Sequence, residues 1–318
     1  MYTKIADWPL VVDLDGTLIK TNSLDETFLD ALRRDPLSIW KVPFKLAFGR
    51  AKLKAFLASK SRLEVDTWPV RCDLLEYVKQ QSELGRRIIL ATAADKKIAD
   101  AIATQYPFIT EVIASDGTLN LKGDAKAKCL RERFPGGFIY AGDSASDIAI
   151  WREAKGSILV DASNRVTKQV RRFMEPLAVF SNQRGIRSVL RRSLRLHQWA
   201  KNALLFVPLV LGGKALDGGA WIAAMTGFVA IGLAASATYV INDLLDLSSD
   251  RRHWSKRHRP LASGELSIRE GLFLAAFGLA GGFAIAASIG YEAAIMLASA
   301  LRNCDAELFL CHEARANP

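Results

Sequence analysis

The sequence is poor in cysteine, with four among 318 residues. They are Cys72, Cys129, Cys304 and Cys311. No pair has the spacing of metal ligands, so neither a zinc site nor a disulfide framework is supported, and we expect reduced thiols. A secretory signal is also lacking, because Asp7 and Asp13 interrupt the first apolar run. We therefore expect the front half of the chain to stay in the cytosol.

Charge is absent from two long stretches in the second half of the chain. One covers 25 residues from Gly218 to Asn242, and the other covers 21 residues from Gly271 to Tyr291. A helix rises ~1.5 Å per residue, so the first stretch reaches about 37 Å and can cross the ~30 Å hydrocarbon layer of a bilayer. A buried helix of a soluble protein is the alternative, but it would need a polar face that these residues lack. The pattern favours membrane-spanning helices, with a shorter candidate at 202–213.

Lysine and arginine cluster beside these stretches. Residues 184–201 hold six and residues 251–259 hold five. Cationic flanks stay on the cytoplasmic side, which predicts a multi-pass protein of the inner (cytoplasmic) membrane with crossings at 202–216 and 219–241. A nucleic-acid patch is the competing interpretation. Because the basic runs adjoin apolar spans, they favour anionic lipid or phosphorylated substrates, and we expect a lipid bilayer and no nucleic acid as partner.

A pair of aspartates follows the first β-rich run, Leu10 to Val12. Alternate residues of a strand share a face, so the carboxylates of Asp13 and Asp15 start on one side of the chain. They repel each other unless a cation lies between them, and Mg²⁺ is the natural occupant. An acidic β-turn is the alternative for this motif taken alone.

Other polar residues follow later runs of the same kind. Thr92 follows the run 87–90, Asp143 and Asp147 follow the run 137–140, and Lys126 lies in a helical stretch that begins at 123. Strands that each deliver a polar group at their carboxyl ends predict an open parallel sheet with its site along that edge. The first 180 residues therefore read as an α/β domain.

In the order acid pair, hydroxyl, cation and acid pair, these motifs resemble the haloacid dehalogenase (HAD) superfamily of phosphatases over about residues 8–160. The resemblance implies an α/β Rossmann-like domain and Mg²⁺-dependent hydrolysis of phosphoesters. Asp13 would be the nucleophile, Asp15 the general acid and base, Thr92 a donor to the phosphoryl group, and Lys126 its counter-charge. The implied magnesium ligands are Asp13, Asp15, Asp143 and Asp147. A solvated helix lysine and a strand-end cap are the plainer interpretations of Lys126 and Thr92.

The segment 21–86 separates the first two motifs and is too long for a plain loop. The amphipathic runs 23–34 and 43–60 predict a helical cap over the site. Their leucine, phenylalanine and alanine residues are typical of packing. The cations of this segment also leave open a membrane-facing surface; they are Lys45, Arg50, Lys52 and Lys54.

Three aspartates close the first long apolar stretch: Asp243, Asp246 and Asp250. At this spacing on one helix they share a face. Carboxylates at a membrane boundary are costly without a cation, and aligned carboxylates that bind Mg²⁺ can hold a diphosphate. A polar helix end in the cytosol is the alternative.

With Asn242, these aspartates reproduce the NDxxDxxxD pattern of the UbiA superfamily of intramembrane prenyltransferases. The continuation 250–267 resembles the loop that follows it in that family, and LHQWAKN at 196–202 resembles the decaprenyl-phosphate phosphoribosyltransferase branch. Trp254 departs from that branch, which usually has proline there. The resemblance covers about residues 191–301.

The resemblance implies transfer of a prenyl or 5-phosphoribosyl group, with 5-phosphoribosyl diphosphate as donor and polyprenyl phosphate as acceptor. Mg²⁺ would bind at Asp243, Asp246 and Asp250. The implied substrate-binding residues are Lys201, Asn202, Asn242, Lys256, Arg257 and Arg259.

The expected organisation is a HAD-like hydrolase domain at 1–180, a basic juxtamembrane linker at 181–201, and a truncated all-α UbiA-like transmembrane segment at 202–301. The tail 302–318 has five charged residues in 17, and its change of composition is consistent with a shift of reading frame. Members of the UbiA family have further helices and a second aspartate motif, so we expect an incomplete transferase site. The function predicted is a membrane-anchored phosphatase joined to a transferase. The alternative is a tethered phosphatase or a non-catalytic scaffold with a remnant transferase half.

Overall fold

The structure is a computed structural model that describes residues 8–62, 64–116, 120–181 and 185–302. The predicted frame-shifted tail lies outside the described residues from 303 onward. The chain divides into two compact units. The first contains the chain up to Gln183 with Arg251–Arg257, and the second contains Arg184–Asp250 and the chain from His258.

A parallel six-stranded sheet forms the centre of the first unit. Its strands are β1 (Leu10–Val12), β2 (Ile88–Asp95), β3 (Ile109–Ser115), β4 (Ile139–Gly142), β5 (Gly156–Val160) and β6 (Ala178–Phe180). Their spatial order is β3-β2-β1-β4-β5-β6. Val11 pairs with Ile89 on one side and with Tyr140 on the other, so β1 lies between the strands that deliver the other motifs. The predicted α/β class is confirmed.

Both faces of the sheet are buried, which explains its apolar strands. Leu10, Val12 and Leu90 pack on one face. Val11 and Tyr140 pack on the other. The helices of this unit outside the cap are α4 (Cys72–Glu83), α5 (Lys96–Ala103), α6 (Asp124–Arg133), α7 (Ile148–Glu153) and α8 (Asn164–Arg171).

The cap predicted between the first two motifs is helical. It contains α1 (Ser23–Arg34), the 3-10 helix Pro36–Lys41, α2 (Val42–Ala47), α3 (Arg50–Lys60) and the 3-10 helix Val65–Thr67. The helix α1 begins where the Asn22 side chain accepts a hydrogen bond from the Leu24 N–H, which is a standard N-cap. The three helices share an apolar core built around Ala31, Leu53 and Leu57.

The two ends of the cap are joined to each other. The Lys20 N–H donates to the Pro69 carbonyl at 2.8 Å, and the Arg71 N–H donates to the Leu18 carbonyl at 2.9 Å. These bonds lie on both sides of a bridge between Ile19 and residue 70. The cap therefore leaves and re-enters the α/β core at one point, just after β1.

The second unit is helical within the described residues. Its helices are α9 (Ile186–Ser193), the 3-10 helix Leu196–Phe206, α10 (Val207–Leu211), α11 (Gly218–Leu245), α13 (Ile268–Ile289) and a helix at 291–302. Two more helices, α12 (Leu247–Arg252) and the 3-10 helix Lys256–His258, each contain residues assigned to both units. By length and composition α11 and α13 can cross a membrane, with mean hydropathies of 1.7 and 2.1.

Two local predictions differ from the structure. The proposed crossing at 202–216 is not one helix, because a 3-10 stretch gives way at Phe206 to the five-residue α10. The proposed continuous helix through the three aspartates is also wrong. It ends at Leu245 with Asp246 as its C-cap, and a separate helix follows.

The helices α11 and α13 approach closely where both carry small residues. A Cβ added at Gly282 would lie 2.9 Å from the Ala230 carbonyl oxygen, and one at Gly278 would lie 3.0 Å from the Ala237 Cβ. Small residues of this kind let helix backbones approach in membrane proteins, where packing rather than hydrophobicity drives association.

Candidate active sites

Three carboxylates meet at the carboxyl edge of the sheet. Asp13 follows β1, and Asp143 and Asp147 follow the neighbouring β4. One oxygen of each lies within 4.8 Å of the others. Asp13 and Asp147 are buried and Asp143 is half-buried. The order of the strands therefore brings together acids that are about 130 residues apart in sequence.

A glycine makes room for this approach. Gly16 has a φ of +76°, which L side chains rarely adopt. A Cβ at this position would also lie 2.5 Å from Asp143 Oδ2. The turn after β1 therefore brings backbone against the carboxylate, and any side chain there would displace Asp143.

The structure places Asp15 beside the cap. Its Oδ1 accepts a hydrogen bond from the Ser23 N–H at 2.7 Å, and its Oδ2 accepts one from the Ser23 hydroxyl at 3.0 Å. Ser23 begins α1, so the cap orients this carboxylate. Burial raises the pKa of Asp15, although the bonds from Ser23 oppose the shift. A raised pKa favours the protonated form that a proton donor requires.

Lys126 reaches the carboxylates from the first turn of α6. Its Nζ donates to Asp13 Oδ1 at 2.8 Å, to the Ala91 carbonyl at 3.2 Å and to the Tyr140 hydroxyl at 3.0 Å. These bonds use all three donors of a buried ammonium group. Burial lowers the pKa of Lys126, but the charges of Asp13 and Asp147 outweigh that effect and raise it.

Tyr140 is a site residue that the sequence did not reveal. Its hydroxyl accepts from Lys126 and donates to Asp147 Oδ1 at 3.0 Å. The other oxygen of Asp147 accepts from the Ser144 N–H and hydroxyl, both at 3.0 Å. Asp147 is thus fixed on both sides. Since burial raises the pKa of Tyr140 well above its ordinary value, the phenol stays protonated and remains a donor.

Thr92 lies near the end of β2 and is buried. Its hydroxyl oxygen accepts the Ala94 N–H at 3.0 Å, the local bond of a strand-end cap, and its O–H proton can still be donated. Beside it, Lys54 of α3 donates to the Ala93 carbonyl at 2.5 Å and to the Asn120 side chain at 3.2 Å. Burial lowers the pKa of Lys54, while the charge of Asp15 raises it. Lys54 therefore belongs to the rim of this site rather than to an outer surface of the cap.

Arg71 is a second residue that the sequence analysis missed. It is buried, and its guanidinium donates to Asp161 Oδ2 at 2.7 Å and to the carbonyls of Thr17 and Gly16 at 3.3 and 3.4 Å. Asp161 follows β5. The arginine thus ties the turn after β1 to the end of another strand.

The carboxylates carry more negative charge than Lys126 balances. Burial raises the pKa of Asp13 to about 6, against the opposing charge of Lys126. Burial raises the pKa of Asp143 to about 8, and the charges of Asp13 and Asp147 add to the shift. A divalent cation would remove this repulsion, and carboxylate oxygens are ligands that Mg²⁺ prefers. The three aspartates therefore fit a magnesium ion.

The second motif has a different arrangement. Asp243 and Asp250 are buried, and Arg259 Nη1 donates to Asp243 Oδ1 at 2.9 Å and to Asp250 Oδ2 at 2.6 Å. Arg195 donates to the same oxygen of Asp243 at 2.5 Å. Asp246, half-buried, caps the helix. Among the described residues, the carboxylates close enough to one another to share a metal ion are those of Asp13, Asp143 and Asp147. The aspartates of the second motif are not in this cluster. In this structure Arg195 and Arg259 balance the negative charge of Asp243 and Asp250.

An open cavity of about 980 Å³ adjoins this motif. Its lining is mostly alanine, leucine and isoleucine from α11, α13 and the helix at 291–302. Arg195, Asn202 and Asn242 contribute polar groups to the lining. Of the other predicted substrate-binding residues, Lys201 is exposed, and Lys256 and Arg257 lie in the 3-10 turn Lys256–His258.

The LHQWAKN segment is joined to α11 through its tryptophan. The Trp199 indole N–H donates to the Ser236 hydroxyl at 2.9 Å, and Ser236 donates to the Leu194 carbonyl at 2.6 Å. A Cβ on Gly232 would lie 2.7 Å from the Trp199 ring, so the indole packs directly against α11 only because residue 232 is glycine. This contact fixes the segment that carries Lys201 and Asn202.

Comparison with known families gives a match over this helical region. Residues 204–302 match the UbiA prenyltransferase family. Decaprenyl-phosphate phosphoribosyltransferase of Mycobacterium tuberculosis is 34% identical over 121 residues, which are 36% of this chain and 40% of that enzyme. The predicted likeness of the UbiA segment to that branch is thereby confirmed.

Two further similarities extend to the N-terminal part. Uncharacterized protein y4nM of Sinorhizobium fredii is 39% identical over 290 residues, 91% of this chain and 56% of that protein. The chain thus spans about half the length of the curated relatives it matches. A solved structure of a substrate-bound phosphoserine phosphatase is similar at 16% identity and a TM-score of 0.41, over 58% of this chain and 98% of that one.

Proposed function

We propose that the chain is a membrane-anchored enzyme with a magnesium-dependent phosphatase site in its α/β unit. The observation that carries the proposal is the contact of Lys126 with Asp13 beside two further carboxylates at one sheet edge. Phosphoryl transfer depends on positioning and on neutralising charge, and this group supplies both. A magnesium ion bound by Asp13, Asp143 and Asp147 would supply positive charge opposite the phosphoryl oxygens.

The side chains divide the reaction between them. A carboxylate oxygen of Asp13 attacks phosphorus as the ester P–O bond breaks, and Asp15 gives its proton to the leaving oxygen. Asp15 then takes a proton from the water that attacks phosphorus, and the bond to Asp13 breaks to release phosphate. Lys126 and the Thr92 hydroxyl stabilise the phosphoryl charge.

Phosphatase activity of the full chain tests this site. We expect Mg²⁺-dependent hydrolysis of p-nitrophenyl phosphate by the protein in detergent, and its loss in Asp13→Asn. Asp100→Asn is a matched control, because Asp100 pairs with Lys96 on an exposed helix face. Activity that survives in Asp13→Asn would refute the assignment.

We further propose that the UbiA domain transfers a phosphoribosyl or prenyl group to a polyprenyl phosphate at the membrane. The apolar cavity suits the lipid chain, and Arg195 and Asn242 at its lining suit a phosphate group. The predicted magnesium site at Asp243, Asp246 and Asp250 stays a prediction and enters no step here. Two spanning helices with cationic flanks support a multi-pass topology with the α/β unit in the cytosol.

Two assays separate this proposal from the alternatives. Transfer from radiolabelled 5-phosphoribosyl diphosphate to decaprenyl phosphate by the full chain would support a working transferase, and its absence beside intact phosphatase activity would indicate a tethered phosphatase. Absence of both activities would leave a scaffold. If the two sites act in sequence, the phosphatase removes the 5-phosphate from the transferred group. A labelled product that keeps its 5-phosphate with Asp13 present would contradict that coupling.

A further inference from the structure

The cap carries an apolar surface that its own packing does not use. On one side of α2, Val42 packs into the core shared by the cap helices. Four large side chains in α2 and in the segments on either side of it are exposed, here called the cap patch: Leu37 at 78%, Trp40 at 83%, Phe44 at 67% and Phe48 at 56%. The rings of Phe44 and Phe48 contact each other, with their centroids 5.2 Å apart. The inner face therefore holds the helix in place, and the cap patch is surface beyond what folding requires.

The surroundings of the cap patch are strongly cationic. Between Asp35 and Glu64 the sequence has seven lysines or arginines and no acid. Lys41, Arg50 and Lys52 are exposed, and the Lys52 ammonium lies 5.4 Å from the centre of the Phe48 ring. Cations of this kind are drawn to anionic lipid head groups. An exposed apolar face whose own segment carries cations and no acid is complementary to an anionic membrane surface.

The composition of the cap patch fits the same partner. Tryptophan and phenylalanine are favoured where a bilayer meets water, because the ring enters the apolar boundary while lysine side chains extend toward the head groups. Short amphipathic helices with lysine on the polar side lie in the plane of that boundary. Phe48 with Lys52 gives this pairing.

We infer that the cap patch docks on the surface of an anionic phospholipid bilayer, with Trp40, Phe44 and Phe48 in the head-group boundary. Lys54, which belongs to the same helix as Lys52, donates to the Ala93 carbonyl at the rim of the phosphatase site. The helix that contributes Lys52 to the docking surface therefore also contributes a residue to the rim of that site. The inference depends on the proposed membrane anchoring and on neither proposed reaction.

The test measures lipid contact at single positions of the full chain. The four native cysteines are replaced by serine, and Phe44→Cys carries a bimane label in proteoliposomes of phosphatidylcholine and phosphatidylglycerol. Leu84→Cys is the matched control, because Leu84 is 80% exposed in the same unit and lies at the end of α4 outside the cap. We expect quenching by doxyl lipids several-fold stronger at 44 than at 84. Equal quenching at the two positions would overturn the inference.

The charge requirement is tested separately. In the Phe44→Cys background, Lys41→Gln with Lys52→Gln should reduce the ratio of docked to undocked cap about fivefold per charge removed. The loss should appear in vesicles with phosphatidylglycerol and be absent in phosphatidylcholine alone. An unchanged degree of quenching in anionic vesicles would count against the inference. Cross-linking of two copies of the chain at position 44, with lipid quenching no stronger than at the control position, would also count against it. Alkaline extraction of the same membranes tests anchoring, so a failure of anchoring is distinguishable from a failure of docking.

Discussion

Replacing Tyr140 with phenylalanine isolates the hydroxyl that joins Lys126 to Asp147. Both of its bonds are 3.0 Å long, both join it to a charged partner, and all three side chains are buried. Hydrogen bonds to charged groups contribute about 1.5–3 kcal/mol each, and a buried donor left unpaired costs a similar amount. The ring still packs against Trp151, so the fold should persist. We expect the free energy of unfolding to fall by about 3 kcal/mol.

The same change should lower activity, because one N–H of Lys126 loses its partner and the ammonium group is free to turn away from Asp13. A loss of about 1.4 kcal/mol of transition-state stabilisation corresponds to a tenfold fall in kcat/KM. The assay is Mg²⁺-dependent hydrolysis of p-nitrophenyl phosphate by the full chain. Tyr106→Phe is the control, since Tyr106 packs on the opposite face of the sheet. If Tyr140→Phe stays within about twofold of the parent, Tyr140 does not position Lys126.

Three further outcomes are expected. Gly16→Ala should abolish phosphatase activity by displacing Asp143, whereas Gly85→Ala, also at positive φ but with open space around it, should lower only the melting temperature. Because burial raises the folded-state pKa of Asp13 to about 6 and of Asp143 to about 8, above their ordinary values, the metal-free fold should lose stability as pH rises toward 8. Mg²⁺ should therefore raise the melting temperature more at pH 8 than at pH 6, and equal increases would contradict this. Ser236→Ala should lower the melting temperature in detergent by removing two partly buried hydrogen bonds, with an unchanged transition as the contrary result.

Local patterns in the sequence predicted the elements that depend on local interactions. The amphipathic run 23–34 predicts a cap helix, and α1 occupies the same residues. Residues 88–90 of the run 87–90 belong to β2, which continues to Asp95. Where the chain changes conformation within an apolar run, as at Phe206, hydropathy alone gave the wrong helix.

The site residues that were missed act across long sequence distances. Tyr140 ends an apolar run, and the sequence alone indicates a core residue. Its pairing with Val11 places it on the face of the sheet where Lys126 binds its hydroxyl. Nothing in the local sequence distinguishes Arg71 from the other cations, because its partner Asp161 is 90 residues away in the chain. Charge partners of this kind are fixed by tertiary packing, which periodicity does not encode.

The join at the base of the cap, made by the bonds of Lys20 and Arg71, separates two kinds of change. The cap lies between these two residues, and the hydrogen bonds hold its two ends together whatever the length of the cap. Insertions or exchanges beyond Ser23, which holds Asp15, leave the pairing of β1 and the position of Asp15 undisturbed. Changes in the cap can therefore alter which substrate the site accepts during evolution, while the catalytic residues keep their positions.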